Sequence, residues 1–189
     1  MEIPGAGPKQ RMVRIHTTYG VFEGVMPCSP VMRTLDAINQ LATGYVTLQP
    51  PVTTPFGAPF GPGPVAISRA SILYIQEMSD TVQTVPSAKM GLPRFWMAPV
   101  VLRVGDLVVH GYVHVPLGGN PLMRLSTTEG PPFLALTAVE AHGTQGEWKF
   151  SFLAVNRAHV TAAQEVVESE ETEDTEEPVE DSVRSDRRP

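Results

Sequence analysis

Histidine and cysteine are the residues of this 189-residue chain that could do chemistry. His110 and His114 have the i, i+4 spacing that lets a helix hold one metal ion, but they lie in VVHGYVHVP, which alternates as a β-strand does. Four strand residues span about 13 Å, too far for one ion to bind both rings. His110, Tyr112 and His114 are therefore predicted to form a row on one strand face, directed at solvent or a partner.

A nucleophilic cysteine needs a base beside it. Cys28 is the only cysteine, so it forms no internal disulfide, and no pattern assigns a histidine to it. It is predicted to be a buried structural thiol. The chain has no GxSxG, P-loop, GxGxxG, HExxH or CxxC motif. The sequence thus predicts no catalytic residue, no cofactor and no metal site.

The sequence segments that position these residues occur as an internal repeat of two copies. AISRASILYIQE at 66–77 recurs as AVNRAHVTAAQE at 154–165, 88 positions later. MVRIHTTYGVFEGV at 12–25 matches PVVLRVGDLVVHGY at 99–112, 87 positions later. In the segments 12–25 and 99–112, apolar and polar residues alternate on both sides of turn residues. Each segment is therefore predicted to be a β-hairpin.

A short helix follows each hairpin, in SPVMR and NPLMR. Ser29 and Asn120 are predicted N-caps, each followed by proline at the first helical position. The first helix is predicted to end at Gly44 and the second at Gly130. Strands at 44–52 and 132–140 are predicted to come next.

Arg69 and Arg157 are the charged residues that the duplication preserves at its final bend. The structural interpretation is that each guanidinium ties the bend to a nearby carbonyl or carboxylate. The alternative is a pair of equivalent anion or phosphate contacts. Both arginines are therefore candidate partner contacts.

Between the predicted third and fourth strands of the first copy, 50–64 holds six prolines and three glycines. It is predicted to be neither helix nor paired strand. Phe56 and Phe60, each in a PFG triplet, either contact a partner or cover an open strand edge. Trp96 lies near the end of a predicted linker, in RFWM, which is too apolar to be left in solvent, and it is a candidate partner contact.

The net charge of −6 belongs to the C-terminus. Residues 168–189 carry −7 and the remainder +1. This acidic segment has little apolar content and is predicted to be disordered. It is predicted to be a solubilising tail or a docking or autoinhibitory arm that competes with an acidic partner such as nucleic acid.

The segments GYVHVPLGG, MRLSTTEGPPFLALTAVEAH and FLAVNRAHV resemble an uncharacterised family of small bacterial β-rich domains. The resemblance covers 100–165, reaches 12–77 through the repeat, and implies a fold class only. A weaker analogy is to Sm-like barrels, in which a basic residue at the place of Arg69 and Arg157 helps clamp a base.

The predicted fold is mainly β (α+β), with two pseudo-symmetric ββαββ small-barrel-like units packed together. The first unit is 12–78, the linker 79–98, the second unit 99–167 and the tail 168–189. The predicted function is a cytoplasmic, non-enzymatic protein-interaction or assembly module, self-associating or bound to a protein partner. The alternatives are a nucleic-acid-binding Sm-like module and a small-molecule-binding or enzymatic domain with a pocket between the halves. No signal peptide or membrane span is predicted.

Overall fold

The computed structural model of the chain describes residues 9–29, 32–55, 61–78, 95–126, 130–144 and 146–166. Phe56 and Phe60 lie outside the described residues. So do the acidic segment 168–189 and most of the predicted linker.

Strands dominate the structure, which confirms the prediction of a mainly β chain. The ten strands are β1 (Lys9–Thr17), β2 (Gly20–Cys28), β3 (Tyr45–Thr53), β4 (Val65–Ser68), β5 (Ile72–Glu77), β6 (Phe95–Val104), β7 (Leu107–Pro116), β8 (Phe133–Gly143), β9 (Gly146–Asn156) and β10 (Val160–Glu165). The two short helices are α1 (Thr34–Asn39) and α2 (Pro121–Ser126). Two 3₁₀ turns, Arg69–Ser71 and Arg157–His159, precede β5 and β10.

All ten strands join one antiparallel sheet in the order β10-β6-β7-β8-β9-β5-β1-β2-β3-β4. The sheet is open, so the predicted barrel-like closure of each half is wrong. The physical reason is the pairing of β9 with β5, which joins the first half (β1–β5) to the second (β6–β10) in series. One strand of each half, β4 and β10, is left with a single neighbour in the described chain.

The order of strands in the first half, β5-β1-β2-β3-β4, recurs in the second as β10-β6-β7-β8-β9. The registers correspond in β1·β5, β1·β2 and β3·β4, whereas the shift between β2 and β3 is one residue larger than the shift between β7 and β8. Tyr45 faces Ser68 in β3·β4, and Phe133 faces Asn156 in β8·β9, 88 positions on. The β1·β5 and β6·β10 pairings match pair for pair, including the place where the register shifts.

Each half has a glycine where its second strand meets a register shift against the third. A β-carbon on Gly24 would lie 3.3 Å from the Leu48 side chain, and one on Gly111 would lie 3.2 Å from the Thr137 carbonyl oxygen. Glycine permits this close approach of two backbones. The bulge bends the strand and brings the third strand of each half over its core.

The two helices begin differently. Asn120 caps α2 as predicted, because its Oδ1 accepts a hydrogen bond from Met123 N at 3.0 Å. The predicted start of the first helix at Ser29 is wrong, because α1 begins at Thr34 and its N-cap residue Arg33 makes no side-chain cap. The Thr34 side chain instead joins a buried network with the first strand, which fixes where the helix begins.

The proline-rich segment also differs from its prediction. β3 continues through Pro50 to Thr53, and Thr53 faces Glu23 of β2. Proline is tolerated there because the pairing of β2 with β3 is interrupted by the bulge and needs few donors. At the other end of the predicted linker, β6 begins at Phe95, so 95–98 are strand residues.

Two core clusters fill the interior, and each takes residues from both halves. The first-half cluster includes Phe133 and Ala154 of the second half. The second-half cluster includes Tyr74 of the first half. The sheet is therefore continuous in its packing as well as in its hydrogen bonds.

Candidate functional site

The junction between the halves is the pairing of β5 with β9. Tyr74 faces Val155 and Ile75 faces Ala154, antiparallel. Ile75 and Ala154 have no exposed surface. Burial of both faces of this short pairing makes it an interface between two five-stranded segments of one chain.

Polar side chains reinforce the junction. The Asn156 amide donates to the carbonyl oxygens of Arg69 at 3.1 Å and Ile72 at 2.8 Å. His159 Nε2 lies 2.7 Å from the Ala70 carbonyl oxygen. These contacts bind the end of β9 and its 3₁₀ turn to the turn that precedes β5.

Phe133 of the second half is the main apolar contact with the first. Its side chain is 1% exposed. The Arg69 guanidinium carbon lies 5.8 Å from the centre of its ring. The Asn39 side chain donates to the Phe133 carbonyl oxygen and accepts from its N–H, both at 3.0 Å. Asn39 thus holds the Phe133 backbone as a neighbouring strand would.

The same positions are exposed at the two ends of the sheet. Tyr45, which stands 88 positions before Phe133, is 54% exposed. Ala66 of β4 stands in the place of Ala154, and Ala163 of β10 stands in the place of Ile75. Both alanines are exposed. The free edges therefore carry the counterparts of residues that the internal junction buries.

A groove of about 350 Å³ runs beside the free edge β4. It is lined by β4 itself together with Thr17, Tyr19 and Phe22 of the first hairpin. In the second half, Leu73 and Tyr74 of β5 pack on the core beside the equivalent hairpin. The first half has no strand in the position that β5 occupies beside the second half, and the groove lies at that position.

Arg69 and Arg157 bind carbonyl oxygens at the ends of the two helical segments, in agreement with the structural interpretation. Arg69 Nη1 donates to Leu41 O at 3.2 Å. Arg157 Nη2 donates to Leu125 O at 3.4 Å and its Nη1 to Pro131 O at 3.3 Å. These bonds hold each bend of the chain against the helix of its own half.

The histidine row lies on the outer face of β7. His110 and His114 are exposed and Tyr112 is half-buried, alternating with buried residues. The His110 ring meets the His142 ring edge-on, with centroids 5.6 Å apart. Across the described ranges, no group of three or more His, Cys, Asp or Glu side chains could hold a metal ion. The row's role as a partner contact remains a prediction.

Two further predicted residues can be placed. Cys28 is buried, as its prediction required. Trp96 is half-buried in β6 and packs against the second-half core. Its role as a partner contact remains a prediction.

Sequence reasoning did not find a stacked pair beside the junction. The His16 and Tyr74 rings lie 4.2 Å apart and nearly parallel. Burial, aided by the Arg14 charge, lowers the pKa of His16 to about 4. Burial raises the pKa of Tyr74 above its usual range. Both rings are therefore neutral at pH 7. The pair could not be predicted from the sequence, because local patterns do not reveal contacts between strands that are distant in sequence.

A cleft also escaped sequence reasoning, although a pocket between the halves was one of the alternatives. It has a volume of about 590 Å³ and takes lining residues from both halves. At its floor, Arg11 Nη1 lies 2.9 Å from Glu77 Oε1 and donates to Thr34 Oγ1 at 2.9 Å. Arg11 looks like an exposed strand residue in the sequence, because nothing local reveals its distant partners.

Comparison with family models, curated protein sequences and solved structures finds no match for this chain. Within the described ranges, no helix has the length and apolar character needed to cross a membrane.

Proposed function

We propose that this chain is a non-enzymatic assembly module, built from two pseudo-symmetric five-stranded units, that joins copies of itself head to tail. The observation that carries the proposal is the β9·β5 junction. By order and register, β4 is the counterpart of β9, and β10 is the counterpart of β5. The two free edges are therefore the two sides of a junction that the chain already forms once within itself.

The internal junction supplies the expected register between copies. Ile75 faces Ala154 inside the chain. Ala163 of one copy is accordingly expected to face Ala66 of the next. Strand addition of this kind satisfies unpaired backbone groups along both edges and needs no new fold.

Tyr45 supplies the expected side-chain anchor. It occupies the place of Phe133, which packs beneath Arg69. Arg157 is the counterpart of Arg69 in the next copy. We therefore expect Tyr45 to lose its exposed surface against Arg157 of the neighbouring molecule, an arrangement in which a guanidinium favours an aromatic face.

The junction between copies is weaker than the internal one. Ser68 stands where Asn156 makes its two cross-junction bonds, and Ala163 stands where Ile75 is buried. Fewer hydrogen bonds and less apolar surface lower the free energy of association. Assembly is therefore concentration-dependent, and because the two edges differ, it produces rings or filaments rather than closed symmetric dimers.

A charge swap at the expected pair tests the proposal through the native mass of the full chain in sedimentation velocity. Ala163→Lys should shift the wild-type oligomers towards the monomer, because a lysine at a strand edge opposes pairing. Adding Ala66→Glu to the same chain should restore the oligomers, because opposite charges then face each other. Leu117→Lys, at an exposed position outside β4 and β10, is the matched control. A wild-type chain that is monomeric at all concentrations, or equal masses for all four proteins, would contradict the proposal.

The segment before β4 needs its own test, because Phe56 and Phe60 precede that edge in sequence. The double variant Phe56→Ala, Phe60→Ala is expected to change the oligomeric state and leave the circular dichroism spectrum unchanged. An increase in mass would mean that the phenylalanines shield the edge, and a decrease would mean that they contact the next copy. An unchanged mass would remove both residues from the interface.

A further inference from the structure

The cleft of about 590 Å³ takes no lining residue from β4 or β10, and its size suits a small ligand. Its walls combine α1 of the first half, α2 of the second, and strands β8 and β9. The apolar part includes the aromatic residues Phe95 and Phe152, which are not fully buried, and Phe133. The body of a flat, apolar molecule fits such a lining.

Buried polar atoms without a hydrogen-bond partner are rare in proteins, and each needs an explanation. In the described part of the chain there are two, Arg11 Nε and Thr137 Oγ1, and both residues line this cleft. Arg11 is 8% exposed and its terminal nitrogens are satisfied by Glu77, Thr34 and the Met32 carbonyl. Within the described ranges, the buried side-chain polar atoms that lack a hydrogen-bond partner thus both belong to residues that line this cleft.

Positive charge dominates the rim. Arg33, Arg124 and His114 line the cleft, and their side chains make no hydrogen bond or ion pair with any residue that the structure describes. The lining carries three arginines against Asp36 and Glu77, a net charge of +1 with His114 neutral. Glu77 is engaged by Arg11, which leaves the rim arginines free to bind an anion.

We propose that this cleft binds a small anion with an aromatic body, a carboxylate or a phosphate monoester whose head group is held by Arg33 and Arg124. Guanidinium groups match the geometry of both head groups. The ring of the ligand packs against Phe95 and Phe152, away from water. Binding takes place within one copy of the chain and is independent of the edge pairing proposed above.

Three probes with the same body and different heads test the charge requirement: phenylacetate, 2-phenylethanol and phenethylamine. Isothermal titration calorimetry should give phenylacetate a dissociation constant on the order of 1 mM, a value suited to so small a ligand. The neutral and cationic probes should bind about tenfold more weakly or not at all, because they lack the charge-assisted bonds. Equal binding of the alcohol and the acid would overturn the proposal, as would no binding of phenylacetate or phenyl phosphate.

Comparing phenyl phosphate with phenylacetate assigns the head group, and tighter binding of either one supports the proposal. Arg33→Gln and Arg124→Gln should each weaken binding about tenfold. Arg103→Gln, at an exposed arginine of β6 outside the cleft, should leave it unchanged. Unchanged affinity in both rim variants would overturn the assignment. The Ala163→Lys chain should bind the probe as the wild type does, so the cleft and the assembly proposal can fail separately.

Discussion

The internal junction and the two free edges use the same strand positions with opposite degrees of burial. Inside the chain, Phe133 and Ile75 are fully covered and Asn156 spans the gap with two hydrogen bonds. At the ends of the sheet, Tyr45 is more than half exposed, and β10, which carries Ala163, has a neighbouring strand on one side only in the described chain. The internal contact thus has Asn156 and Ile75 as polar and apolar anchors, whereas the equivalent positions at the free edges carry the smaller Ser68 and Ala163.

The largest expected difference between the two regions is in stability. Phe133→Ala should lower the free energy of unfolding by about 3–5 kcal/mol, because it empties a buried aromatic position. Tyr45→Ala should change it by no more than about 0.5 kcal/mol in the monomer, since the ring is mostly in solvent. Urea denaturation at low protein concentration measures both values. Similar losses for the two variants would mean that Tyr45 is buried within its own chain.

A smaller difference is expected at the polar anchor. Asn156→Ala should cost about 1–3 kcal/mol, because the carbonyl oxygens of Arg69 and Ile72 lose a donor in a buried place. Ser68→Ala, at the equivalent free position, should cost no more than about 0.5 kcal/mol. Thermal unfolding followed by calorimetry compares the pair, and an equal loss would contradict the asymmetry between junction and edge.

Replacing Tyr45 should weaken self-association although it leaves the free energy of unfolding almost unchanged. Tyr45→Ala should raise the dissociation constant of the oligomer about tenfold or more, because one partly exposed aromatic ring no longer becomes buried. Tyr45→Phe keeps the ring and should stay near the wild type. Sedimentation equilibrium gives both constants. Loss of association in the phenylalanine variant would assign the effect to the hydroxyl rather than to the ring.

The smallest expected effect is a pH dependence confined to the junction. The pKa of His16 is lowered to about 4 by burial, so the folded chain favours the neutral ring. The stabilisation is complete above the usual histidine pKa of about 6.5 and declines as the pH falls towards 4. His16→Phe should preserve the stacking on Tyr74 and flatten that decline by roughly 1 kcal/mol, a figure reduced for the partly exposed ring. Exposed His142→Gln should leave the decline in place, and an unchanged slope in His16→Phe would exclude this histidine.

The sequence predicted the elements that depend on local patterns. Alternation marked the hairpins, and Asn120 marked the start of α2. The predicted helix start at Ser29 was wrong because tertiary contacts outweighed the local capping preference. The hydrogen bonds of Thr34 with Arg11 and Glu77 determine where α1 begins.

The candidate sites depend on long-range pairing, which local patterns do not encode. The pairing of β9 with β5 determines which edges of the sheet are free. No sequence pattern in either strand predicts this pairing. The prediction of small-barrel-like units was wrong for the same reason, since a repeat in the sequence does not say how the strands of its two copies join. Arg11 and Phe133 meet their partners across large separations in sequence, so the cleft and the main anchor appear only in the folded chain.

Register-specific crosslinking tests the central claim most directly. In a Cys28→Ser background, Ala66→Cys and Ala163→Cys place two thiols at directly opposed strand positions of neighbouring copies, where their β-carbons lie about 4.5–5.5 Å apart. The control pair is Ala66→Cys with Ala162→Cys, because a shift of one residue turns the second thiol to the other face of the sheet. Mild oxidation should give a ladder of covalent multimers on a non-reducing gel for the first pair and mainly monomer for the control. Equal ladders for the two pairs, or no multimers from the first, would contradict head-to-tail joining of β10 to β4.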